Sequence, residues 1–76
     1  MIDYLNLKNS YIAAVQMWLG LGFPDPKQGN DLLHKFCETL VDNSNYSESD
    51  KQNMKHELEL VKKTLSQEIE RYHRDA

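Results

Sequence analysis

His34 and Cys37 are the pair in this 76-residue chain whose types and spacing come nearest to a site of chemistry. Three positions apart on a helix, both side chains would lie on one face and reach one metal ion, with His56 and His73 as further ligands. Structural zinc sites use tighter paired spacings, such as Cys-x-x-Cys with His-x-x-x-His, and a cysteine on an apolar stripe is mostly a small hydrophobic residue. We therefore predict no metal and no cofactor, with a zinc or thiol sensor on Cys37 as a minor alternative.

Other residue types that serve catalysis are not arranged for it. A Cys37 nucleophile with His34 as its base would need an orienting group and an oxyanion site in a cleft. Glu57 and Glu59 are two positions apart, so they diverge around a helix and cannot share a proton or a metal. The stretch 20–22 lacks the Gly-Lys-Ser/Thr ending and the preceding strand of a phosphate loop. We predict that the chain is not an enzyme.

The composition also disfavours several classes of protein. A net charge of −3 and a pI near 5.5 argue against general affinity for nucleic acid, because positive potential supplies most non-specific binding. A single cysteine excludes an internal disulfide, and no apolar run approaches the ~18 residues of a membrane span. The start of the chain does not have the pattern of a secretion signal. These features predict a small acidic cytoplasmic protein.

The last third of the chain has the clearest periodicity. Apolar residues recur at spacings of three and four, which is typical of one amphipathic α-helix. This helix is expected over 47–75, and at ~1.5 Å per residue it would be ~40 Å long. Its apolar stripe consists of Met54, Leu58, Val61, Leu65, Ile69 and Tyr72.

Two shorter helices are predicted before it. The first, over 3–20, has an apolar arc of ~200°, twice the usual width, and is expected to be the central helix. The second, over 30–43, begins at an Asn30 or Asp31 cap after a loop over 20–29 that contains two prolines. Its apolar side comprises Leu32, Leu33, Phe36, Cys37, Leu40 and Val41. The fold class is therefore all-α, a small three-helix bundle in a single domain over 1–76 with a long C-terminal helix.

The difference in helix length is the basis of the functional prediction. In an up-down-up bundle, the second helix covers the first half of the third, and Ile69 and Tyr72 stay uncovered. Exposed apolar surface marks an interaction site, so we predict a homodimer and a non-enzymatic protein-binding module acting as an inhibitor, regulator or adaptor. The predicted apolar anchors are Trp18, Phe23, Ile69 and Tyr72, and the predicted rim charges are Lys8, Glu68 and Arg71.

Two of these residues have alternative interpretations. Phe23 either closes the end of the core or is an exposed anchor, and Lys8 either extends its ammonium into water or faces an acid on the partner. A second functional class also stays open, a dimeric DNA-associated transcriptional regulator. Its basic edge on the third helix would comprise Lys62, Lys63, Arg71 and Arg74.

Overall fold

Three α-helices form the fold in the computed structural model, which describes residues 3–75, with side chains up to His73. They are α1 (Tyr4–Gly20), α2 (Pro26–Asp42) and α3 (Glu48–Asp75). The predicted all-α three-helix bundle is confirmed, and the bounds of α1 and α3 lie within one residue of the prediction. In the described part of the chain, no helix has the length and apolarity needed to cross a membrane.

The start of α2 differs from the prediction by four residues. Proline has no N–H and a fixed φ, which suit the first position of a helix, and Pro26 takes that position. Asp25 precedes it with a φ of 54°, in the left-handed region that aspartate adopts more readily than most residues. The prediction of a loop over 20–29 is therefore wrong, because Pro26 starts the helix, and the connection is 21–25.

Ion pairs between α2 and α3 show how these helices run. Lys27 Nζ lies 2.9 Å from Glu70 Oε1, and Lys55 Nζ lies 2.9 Å from Asp42 Oδ1. The first turn of α2 is thus beside the last part of α3, and the last turn of α2 is beside the first part of α3. The two helices are antiparallel, and α2 accompanies α3 over most of its length rather than its first half.

The core closes around the far end of α3 within a single copy of the chain. Ile69 is 0% exposed, so the prediction that it lies uncovered is wrong. The four extra residues of α2 add ~6 Å of cover at this end, which brings Lys27 beside Glu70. Tyr72, one turn further on, is 49% exposed. The buried core comprises Tyr11, Val15, Cys37, Val41, Leu58, Leu65 and Ile69.

The side of α2 that faces the core agrees with the prediction only in part, since Cys37 and Val41 are buried as predicted and Leu33 packs against the core. Leu32 and Phe36 are exposed, whereas Asn30 and His34 are buried. Asn30 is accommodated because it is fully bonded. Its amide donates to the Lys62 carbonyl (3.0 Å) and to Ser66 Oγ (3.1 Å), and its Oδ1 accepts from the Tyr11 hydroxyl. The helix is turned by about 60° from the orientation that its apolar residues predict.

The central helix is α2 rather than α1. It packs closely against both neighbours, while α1 and α3 approach each other over a smaller area. One position shows how close α1 and α2 come, since a Cβ added to Gly29 would lie 2.9 Å from the Trp18 indole. Because the wide apolar arc of α1 is covered mainly from one side, part of it faces solvent.

Candidate functional site

One long side of the bundle, formed by α1 and α2, points away from α3. Lys8 of α1 and Lys27 of α2 both pair with glutamates of α3. Met17 lies nine residues after Lys8 on α1, and Phe36 lies nine residues after Lys27 on α2. At ~100° per residue, a separation of nine residues places two side chains about 180° apart around a helix. The side chains of Met17 and Phe36 therefore lie on the side of the molecule opposite α3.

This side carries no charged residue among the helical residues of α1 and α2. Lys8 is the one charged residue in the sequence of α1, and it faces α3. The charged residues of α2 all fall within an arc of about 80° on the side of α3. They are Lys27, Asp31, Lys35, Glu38 and Asp42.

The uncharged side is instead apolar. Met17, Leu32 and Phe36 are 62%, 59% and 61% exposed. Single exposed apolar residues are ordinary, but Leu32 and Phe36 are one helical turn apart, on a helix that buries polar residues on its other side. Depletion of charge with enrichment of phenylalanine and methionine is typical of the centre of a protein interface. We call this surface, Ser10, Ala14, Met17, Leu21, Leu32 and Phe36, the charge-free face.

Trp18 and Phe23, both predicted anchors, meet where α1 turns into α2. The Trp18 ring is partly buried against Gly29, and its Nε1 donates to the Pro24 carbonyl (2.8 Å). Phe23 packs edge-on against Trp18, with ring centroids 6.2 Å apart, and is half-exposed. Phe23 therefore does not close the core, and Trp18 holds the connection in place.

A second apolar surface is a groove between α1 and α3. It has a volume of about 260 Å³ and is lined by Ile12, Leu60, Val61, Thr64 and Leu65, with Glu57 and Glu68 at its ends. The groove exists because α1 and α3 are less closely packed than the other helix pairs. Two of the predicted rim charges lie here: Glu68 lines the groove, and Lys8 lies beside it, paired with Glu57.

Lys8 pairs within its own chain. Its Nζ lies 3.1 Å from Glu57 Oε1 and 5.9 Å from the centroid of the Tyr4 ring. The Tyr4 hydroxyl donates to the same Glu57 oxygen. The Tyr4 hydrogen bond, followed by Lys8, lowers the pKa of the Glu57 carboxyl below its ordinary 4.5. Within one copy of the chain, the acid that Lys8 faces therefore belongs to α3, and a contact between Lys8 and an acid of a partner stays a prediction.

The lowered pKa of Glu57 predicts a pH-dependent contribution to stability. A carboxyl whose folded-state pKa is depressed stabilises the fold fully above its ordinary value of 4.5, and this contribution is lost as pH falls through the folded-state value. Glu57→Gln should therefore be less stable than the unsubstituted chain at neutral pH, and the difference should shrink below pH 4.5. Urea denaturation across this pH range measures it. Tyr4→Phe should show most of the same pH-dependent loss of stability, because the Tyr4 hydrogen bond is the largest cause of the lowered Glu57 pKa. A loss of stability in Glu57→Gln that stays constant with pH would contradict the prediction.

The buried histidine and cysteine are not arranged as a nucleophilic pair. Burial raises the pKa of the Cys37 thiol, whereas a cysteine nucleophile needs its pKa lowered. His34 Nδ1 lies 3.5 Å from Glu38 and its Nε2 lies 3.9 Å from Glu59, with no hydrogen-bond partner for Nε2 among the described residues. Within the same part of the chain, no three His, Cys, Asp or Glu side chains converge as metal ligands.

One residue of the predicted basic edge, Lys62, lies apart from the others. Lys62 Nζ pairs with Asp31 Oδ1 at 2.9 Å. Arg71 follows Lys62 by nine residues, so the two lie on opposite sides of α3. Arg71 and Tyr72 are exposed near the end of α3, and the side chain of Arg74 lies outside the described ones. Lys62 therefore lies apart from Arg71, whereas Lys63, eight residues before Arg71, is exposed and within about 80° of it around α3.

The charge-free face is a candidate surface that the sequence analysis missed, because Leu32 and Phe36 were assigned to the core. A signal for it is present, since the sequence from Asn9 to Pro24 holds no charged residue. Comparison with known protein families, with curated protein sequences and with solved structures finds no match for this chain.

Proposed function

We propose that this chain is a non-enzymatic protein-binding module that works as a homodimer, with two copies joined through the charge-free face. The observation that carries the proposal is the exposure of Leu32 and Phe36, one turn apart on a helix that buries Asn30 and His34. Apolar area of this kind usually marks an interaction surface. The dimer would act as a small inhibitor, regulator or adaptor does, by occupying the surface of another protein.

A second copy is the occupant that fits the charge-free face best. In a two-fold symmetric interface each residue meets the same surface of its partner, so a charge near the axis faces a like charge. A surface without charged residues avoids this repulsion. The pairs Lys27–Glu70, Asp31–Lys62 and Asp42–Lys55 lie on the side of α3, away from this contact. The charged residues of α1 and α2 in a chain of net charge −3 therefore lie away from the two-fold axis.

The size of the molecule also supports this contact. The chain measures 43 × 18 × 17 Å, and one long side has an area of the same order as the about 800 Å² that each partner buries in a standard interface. A chain of this length gains only ~3–5 kcal/mol of net stability from its core. Association through an apolar face would add to that stability.

Phe36→Asp tests the proposal. It places a charge at the centre of the charge-free face, and two such charges would meet across the two-fold axis. We expect the unsubstituted chain to sediment as a dimer at tens of micromolar. Phe36→Asp should raise the dissociation constant of the dimer at least tenfold and give a folded monomer. Analytical ultracentrifugation measures the mass, and circular dichroism confirms the helical content.

Leu60→Asp is the matched control, because Leu60 is similarly exposed, at 54%, on the other side of the bundle. This variant should dimerise as the unsubstituted chain does. A folded monomer for the unsubstituted chain at these concentrations would overturn the dimer, and so would dimers that Leu60→Asp disrupts while Phe36→Asp leaves them intact.

A further inference from the structure

The groove between α1 and α3 has a shape that suits a row of side chains from a bound helix. Its volume, about 260 Å³, is below the about 300–1,000 Å³ of typical small-molecule pockets. Its walls are apolar, with Ile12 on α1 facing Leu60, Val61 and Leu65 on α3. A shallow apolar groove between two helices is the surface that receives the apolar side of an amphipathic helix.

The two carboxylates at the ends of the groove differ in their partners. They are eleven residues apart, or about 16 Å along α3. Glu57 already forms an ion pair with Lys8 and accepts a hydrogen bond from the Tyr4 hydroxyl. Glu68 is partly buried in the groove and has no cation within ion-pair distance among the described side chains. A partly desolvated carboxylate without a cation favours a ligand that brings one.

The geometry points to a cationic amphipathic helix of a partner protein as the occupant of this groove. Its apolar residues lie against Leu60 and Val61, and a lysine or arginine pairs with Glu68. The inference rests on the proposed protein-binding function but uses another surface, so the two can fail separately. A second copy fits the groove less well, because the charge-free face that it would offer has no cation for Glu68.

Two synthetic peptides of five helical turns provide the probe. Both have leucines along one side, and the remaining positions are lysine in one peptide and glutamate in the other. Fluorescence anisotropy at physiological salt should show micromolar binding of the leucine–lysine peptide and at least tenfold weaker binding of the leucine–glutamate peptide. Phe36→Asp should bind the first peptide as the unsubstituted chain does, which separates this site from the dimer contact.

Three variants locate the binding. Leu60→Lys adds a like charge to the apolar wall and should weaken binding of the leucine–lysine peptide at least tenfold. Glu68→Gln removes one partly exposed ion pair and should weaken it about threefold. Glu48→Gln removes the same charge at the start of α3, outside the groove, and should leave it unchanged.

Specific outcomes would overturn the inference. They are equal affinity for the two peptides, unchanged affinity in Leu60→Lys, or equal losses in Glu68→Gln and Glu48→Gln, which would indicate attraction to the net negative charge alone. Circular dichroism of each variant establishes that it is folded before its affinity is compared.

Discussion

Replacing Ile69 with alanine should lower the free energy of unfolding by about 2–5 kcal/mol, the range for truncating a fully buried isoleucine. The side chain is 0% exposed and belongs to the core cluster, so the substitution would leave a cavity between α3 and the start of α2. Since the net stability of a chain this short is ~3–5 kcal/mol, the variant should be largely unfolded near room temperature. Urea denaturation followed by circular dichroism measures the change.

Tyr72→Ala is the control for this prediction. Tyr72 lies one turn beyond Ile69 on the same stripe but is 49% exposed, and exposed substitutions usually change stability by less than about 0.5 kcal/mol. We expect a clearly smaller loss than for Ile69→Ala. Equal losses at the two positions would mean that α3 is covered to its end, and a negligible loss at Ile69 would mean that α2 does not shield this part of the helix.

Replacing Asn30 with alanine should cost on the order of 3 kcal/mol, because each buried polar group left without a partner costs about 1–3 kcal/mol. The Asn30 side chain bonds Ser66 Oγ, the Lys62 carbonyl and the Tyr11 hydroxyl. Burial raises the pKa of Tyr11, so its hydroxyl stays protonated, and Asn30→Ala leaves it only the longer contact to the backbone carbonyl of residue 30, at 3.5 Å. Chemical denaturation at neutral pH measures the loss.

A double-mutant cycle with Tyr11→Phe shows whether the loss arises from the hydrogen-bond network. Removing the Tyr11 hydroxyl first should reduce the further cost of Asn30→Ala, because no donor is then left unsatisfied, and a coupling of at least about 0.5 kcal/mol is expected. Asn53→Ala, at an exposed position of α3, should be nearly neutral. Additive losses at Tyr11 and Asn30 would contradict the network.

The positions of the predicted partner-binding residues separate local from tertiary information. Lys8 and Glu68 were chosen because they adjoin apolar stripes, and both come to the α1–α3 groove. Ile69 was chosen for an exposure that the fold removes. The prediction of a short α2 caused this error, because Pro26 was interpreted as a helix breaker when its position, directly after Asp25, also suits the start of a helix.

The sequence by itself determined the number of helices, the bounds of α1 and α3 and the buried stripe on α3, because the spacing of apolar residues along one helix is a local property. Only the tertiary structure decided which side of α2 is buried. The choice between Leu32 with Phe36 and Asn30 with His34 depends on hydrogen-bond partners that other helices supply. Burial of Asn30 becomes favourable only when Tyr11 and Ser66 are beside it, and that arrangement leaves Leu32 and Phe36 in solvent.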